Sequence, residues 1–200
     1  MMQQSVITEI VTRGDTMIHP SHEAALLSEL DSVATDGQLR RRAIKRALHA
    51  KCPLPANFAG IDEEASALVI ADIQVVERCA MATSCLPRAG RLENTVDGRF
   101  RRATKRVLTP GDMTLIDSYA ERVDLPKSLM SSSAWHNESK LLFGGIQNLL
   151  MELEFGDALA SFFSLRFPRE VFDAEPSIDG ESSKLVRQVC RTILQLNQPS

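Results

Sequence analysis

The groups that could do chemistry in this 200-residue chain are four cysteines, four histidines and 26 carboxylates. Among Cys52, Cys79, Cys85 and Cys190, only Cys79 and Cys85 stand close, with five residues between them. That is not a CxxC pair, and no second pair completes a zinc site. The thiols therefore read as free and buried or half-buried, suited to a reducing compartment. His19 and His22 form the run HPSH. Two histidines three apart can share a metal on a helix face, but Pro20 biases His19 towards an extended backbone. The rings need not converge, and further ligands at recognisable spacing are lacking. Among the acids, Glu152 and Glu154 would not share a helix face, and Asp62, Glu63 and Glu64 suit the start of a helix. GxGxxG, Walker A, GxSxG, HExxH and EF-hand patterns are all missing. No enzyme, metal, cofactor or small-molecule substrate is expected.

The elements that would carry these residues are helical nearly throughout. The N-terminal stretch Ser5 to Val11 is the best strand candidate, on weak alternation. Ser21 can cap a helix from His22 to about Ala34, with Leu26, Leu27, Leu30 and Val33 inward. A second helix covers Gln38 to Lys51, with Leu39, Ala43, Ile44, Ala47 and Leu48 inward, and Pro53 and Pro55 end it. One long helix is predicted from Asp62 to Leu86, apolar on both sides and central to the core. Leu92 to Leu108 follows, with Leu92, Val96, Phe100, Ala103 and Val107 on one side.

Thr109-Pro110-Gly111-Asp112 is a helix start, with Thr109 as cap, Pro110 at the first helical position and Asp112 in place to complete a capping box. Asn137 to Leu153 is the next helix, and its Gly144-Gly145 pair permits close packing or marks a kink. A short helix runs from Asp157 to Leu165, where Phe162, Phe163 and Phe167 read as core. The last helix spans about Glu181 to Leu196. The fold class is mainly α: a single domain over 1–200 of seven or eight packed helices, with little or no β-sheet. Subdomain boundaries are candidates near 52–61 and 125–136.

Composition excludes several classes. At 44% hydrophobic and 24% charged residues, the chain suits a globular domain. The longest run without a charged residue, Leu141 to Met151, has 11 residues, about half of a membrane span. The N-terminus lacks the basic and apolar regions of a secretory signal, so a cytoplasmic protein is expected. The net charge of −3 does not mark a nucleic-acid binder.

Charge is nonetheless unevenly placed. Residues 38–52 carry six Lys/Arg and no acid, and residues 86–106 carry seven against two acids. Such clusters are either solvated helix faces or surfaces for an acidic protein or anionic lipid headgroups. Nucleic acid fits less well, because aromatic residues for stacking are nearly missing from both.

Three stretches resemble the SctK (YscK) family, the cytosolic sorting-platform adaptors of bacterial type III secretion systems. The first is Met17-Ile18-His19-Pro20 before a helix. The second runs from Leu68 to Val107, where an apolar helix ends in an Arg/Cys-containing stretch and an amphipathic helix follows. The third runs from Gly144 to Leu194, with GIQNLLMEL, SLRFP and LVRQVCRTIL in family order. The chain departs from the family where Ala71-Asp72 replaces Leu-Gly.

The resemblance implies a non-enzymatic adaptor at the cytoplasmic face of the inner membrane. It would link the cytoplasmic domain of the SctD-type ring protein to the SctQ-type pod protein and so support protein export. The charge pattern, not the resemblance, suggests Arg99, Arg101, Arg102, Lys105 and Arg106 as one partner-binding face. His19-Pro20 is expected to fix a turn. Two alternatives stand beside this: a helical nucleic-acid-associated or regulatory protein using the clusters at 38–52 and 86–106, and a small helical enzyme or chaperone-like protein with a deep polar pocket.

Overall fold

The computed structural model describes residues 2–28, 37–54, 60–90, 92, 98–119, 138–173 and 183–197. Among them lie ten α-helices, two short 3-10 segments (Leu86–Arg88 and Arg169–Asp173) and no strand. The mainly α class is what the helical periodicity requires. The chain forms two compact units. Residues 1–70 with 154–169 make the first, and 71–153 with 170–200 the second. The candidate boundary near 52–61 falls inside the first unit, and that near 125–136 lies outside the described residues.

The first unit holds α1 (Met2–Met17), α2 (Pro20–Ser28), α3 (Gly37–Lys51), α4 (Glu63–Ile70) and α9 (Asp157–Ser164). The expected strand over Ser5 to Val11 is instead the body of α1. Val6 and Ile10 are buried four residues apart. Gly14, four further on, lies against Phe162, whose ring edge would be 3.3 Å from an added Cβ. The period of four outweighs the apparent alternation. Phe163 then stacks between Phe155 at 4.7 Å and Phe167 at 5.1 Å. These rings, with Phe162, are buried as their spacing predicts.

α2 begins two residues earlier than expected, at Pro20. Ser21 therefore lies in the first turn, and the cap comes from His19. Its Nδ1 accepts from the Ser21 amide (3.3 Å) and sits 2.9 Å from Ser21 Oγ. Pro20 takes the first helical position, where its missing N–H costs nothing. Leu30 and Val33 lie outside the described residues.

The long helix predicted over Asp62 to Leu86 is two helices, α4 and α5 (Ile73–Cys85), interrupted at Ala71-Asp72. The interruption coincides with the division between the units. Buried Arg166 explains the stop: its Nη1 donates to the Leu68 and Val69 carbonyls at 2.6 and 2.9 Å. A cation on the last carbonyls of α4 satisfies groups that have no partner within the helix and complements its dipole.

The second unit holds α5, α6 (Gly98–Val107), α7 (Pro110–Asp117), α8 (Glu138–Glu152) and α10 (Ser183–Leu196). α5 is its centre, buried continuously from Cys79 to Cys85 and packed on all four other helices. Gly145 lets α8 approach most closely: an added Cβ would lie 1.9 Å from the Ala80 carbonyl oxygen. The glycine pair thus serves packing, and α8 continues through it. The capping box at Thr109 and Asp112 forms as read from sequence, with Pro110 at the first helical position.

Candidate functional site

The two sides of α6 are sharply divided. Phe100, Ala103 and Thr104 are buried, and Arg99, Arg101, Arg102, Lys105 and Arg106 are all exposed. The division follows from spacing, since the cations occupy the arc that positions 100, 103, 104 and 107 leave free. The Arg88 guanidinium lies over the Phe100 ring, 4.5 Å from its centroid. Arg106 reaches Glu138 at 3.1 Å, with both side chains well exposed at 73% and 37%. Such a pair contributes well under about 1 kcal/mol and can be exchanged for an external anion. Glu138 also adds to burial in raising the Glu77 carboxyl above its ordinary value. Arg101, Arg102 and Lys105 form no ion pair among the described residues. The result is a cationic strip whose apolar side is already committed to the unit core. It is able to meet carboxylates or phosphates.

The His-Pro step lies in the other unit, and there two of the sequence stretches quoted above come together. The His19 amide donates to the Leu165 carbonyl at 2.8 Å, and His22 Nε2 lies 2.8 Å from the Phe167 carbonyl. The segment SLRFP thus contacts the step through Leu165 and Phe167, while its Arg166 caps α4. Sequence reading missed this junction, because backbone carbonyls 145 residues away leave no trace in side-chain type. His19 and His22 are each engaged in these local contacts, and no group of three or more possible ligands gathers among the described residues.

Burial lowers His22 below its ordinary pKa of 6.5; the Phe167 hydrogen bond opposes this, and the nearby charges of Arg169, His19 and Lys51 add to it. A depressed histidine leaves stability intact above the unfolded value and removes it as pH falls through the window below. The first unit is therefore expected to lose stability as pH drops below about 6.5. His22→Gln, which keeps a donor for Phe167, should flatten that slope in thermal melts recorded between pH 7.5 and about 5. An unchanged slope would show that His22 does not couple to folding.

All four cysteines are buried and free. Burial raises the Cys52 thiol, and pushes Cys85 up to about 12. Thiols held protonated are poor nucleophiles and poor metal ligands. No described helix is long and apolar enough to cross a membrane.

No protein-family model, curated protein or solved structure matches the chain. Among the described residues, the fold defines an all-α class, with five helices in each of two units and a cationic face on α6.

Proposed function

We propose that the chain is a non-enzymatic adaptor of a type III secretion sorting platform. It works in the cytoplasm at the face of the bacterial inner membrane. There it links the cytoplasmic domain of the SctD-type ring protein to the SctQ-type pod protein and supports export. The reading rests on the resemblance of the three stretches to the SctK family. The observation that best supports it is the junction of His19 and His22 with Leu165 and Phe167. Residues quoted for the resemblance from opposite ends of the chain share one structural task. The cationic strip of α6 supplies a surface for one acidic partner, separate from the His-Pro junction, which holds the fold.

The test uses the purified chain with each proposed partner, following association at several salt concentrations. Arg102→Glu with Arg106→Glu should slow association with the acidic partner and flatten its salt dependence, since steering by opposite charge raises on-rates at low salt. Both residues are exposed, so the fold should be unaffected. Unchanged rates and unchanged salt dependence would remove α6 from the interface. Failure of the unaltered chain to bind either partner would remove the adaptor reading itself.

A further inference from the structure

A second cationic helix, α3, is built differently from α6. It contains no acid from Gly37 to Lys51. The fold sorts its cations into two sets. Arg40 pairs with Glu23 of α2, and Lys45 bonds both Asp15 (3.4 Å) and the Thr12 carbonyl (2.9 Å) of α1. These two bind α3 into the first unit. Arg41, Arg42 and Arg46 are exposed and form no ion pair among the described residues. Ile44, Ala47 and Leu48 are the buried side. Leu39, Arg42 and Arg46 recur at spacings of three and four and lie opposite to it. On that outward side Leu39 is 53% exposed, although the sequence reads it as an inward position. Val11, next to Thr12 on α1, is a further exposed apolar residue at 43%.

We infer that the outward face of α3 docks on an anionic lipid surface, with Arg42 and Arg46 on headgroup phosphates and Leu39 at the acyl boundary. A lipid interface takes cations and an apolar side chain together. The face carries one sign of charge only. An acidic protein would also take the cations, as proposed for α6; Leu39, exposed among them and without a counterpart on α6, is what favours a lipid surface with its acyl boundary. Nucleic acid would take the arginines, but α3 offers no aromatic residue for stacking and would leave Leu39 uncovered. This inference does not depend on the adaptor reading.

The experiment is co-sedimentation of the full chain with phosphatidylcholine vesicles, with and without phosphatidylglycerol, across a salt series. Binding is expected only with phosphatidylglycerol present and should weaken as salt rises. Arg42→Glu with Arg46→Glu should lower binding at least about 25-fold, since each of the two cations lost contributes about fivefold near such a surface. Leu39→Ala should lower it a few-fold. Arg101→Glu with Lys105→Glu on α6 makes the same change in net charge and should leave binding within about twofold if the α3 face is what docks. Three results would overturn the inference: no binding to phosphatidylglycerol vesicles, an equal loss from the α6 reversals, or tighter binding to a DNA duplex at the same salt.

Discussion

Gly145→Ala is expected to destabilise the second unit by about 3 kcal/mol or more, at the upper end of what an inserted methyl group costs in a packed core. The added Cβ would meet the Ala80 carbonyl oxygen at 1.9 Å, its carbon at 2.4 Å and Ser84 Oγ at 2.9 Å. Two of those atoms are backbone in the middle of α5, so no rotamer change relieves the clash. The Ala80 carbonyl also accepts from Thr83 Oγ1 (2.8 Å), and Ser84 Oγ donates to the Leu141 carbonyl of α8 (2.6 Å). The helices must separate along their closest line of contact, which strips the Ser84–Leu141 bond between them. Gly98→Ala is the matched control. It sits in the first turn of exposed α6 with nothing within 4 Å of its Cβ, so it should stabilise by roughly 0.4–1 kcal/mol. Urea unfolding followed by circular dichroism separates the two. A midpoint for Gly145→Ala equal to that of the unaltered protein would show that α5 and α8 are not this close.

Asp112→Ala should cost about 3 kcal/mol or more, because it removes two structures at once. One is the capping box of α7, in which the Thr109 amide donates to Asp112 Oδ2 (2.8 Å) and the Asp112 amide to Thr109 Oγ1 (3.2 Å). The other is a two-point ion pair with Arg78, from Nε at 3.0 Å and Nη2 at 2.8 Å. The Asp112 side chain is fully covered and that of Arg78 only 17% exposed. The substitution leaves a mostly covered guanidinium that still donates to Asn197 Oδ1 at 2.8 Å. Arg78→Met in the Asp112→Ala background should recover part of the loss, since it removes the uncompensated charge. No recovery would mean that the cap, not the ion pair, carries the effect.

The same residue sets an acid response. Burial would raise the Asp112 carboxyl, but the hydrogen bonds from Arg78 and Thr109 and the Arg78 charge hold it below its ordinary value of 3.8. A depressed carboxyl contributes stability that is present above the unfolded value and is lost as pH falls through the folded one. Asp112→Ala should therefore weaken the fall in stability of the second unit below about pH 4.

Much of this fold was legible residue by residue. The TPGD start of α7 is readable because a capping box is local: donor and acceptor lie three residues apart. The aromatic positions and the glycine pair were readable because their types have few other uses in a helix. α1 was misread because Val6, Ile7, Ile10 and Val11 satisfy two periods over a short window, and only Gly14 against Phe162 decides for four. The break between α4 and α5 was missed because Ala71-Asp72 carries no Gly or Pro. What stops α4 is Arg166, about a hundred residues later in the chain. The candidate site divides the same way. The α6 strip is fully visible as a run of charge, since exposure follows from helical spacing. On α3, spacing sets Arg42 and Arg46 opposite the buried side, but it does not show that Arg40 and Lys45 are bound to acids on other helices.

The adaptor reading is tested most directly by affinity purification of the tagged chain from its native cell, with mass spectrometry of the proteins that accompany it. The account predicts recovery of both a membrane-ring protein and a pod protein, with recovery of the acidic partner reduced for the Arg102→Glu, Arg106→Glu form. Recovery of neither, with nucleic acid or a metabolic complex in their place, would contradict it and leave the two helical units without that function.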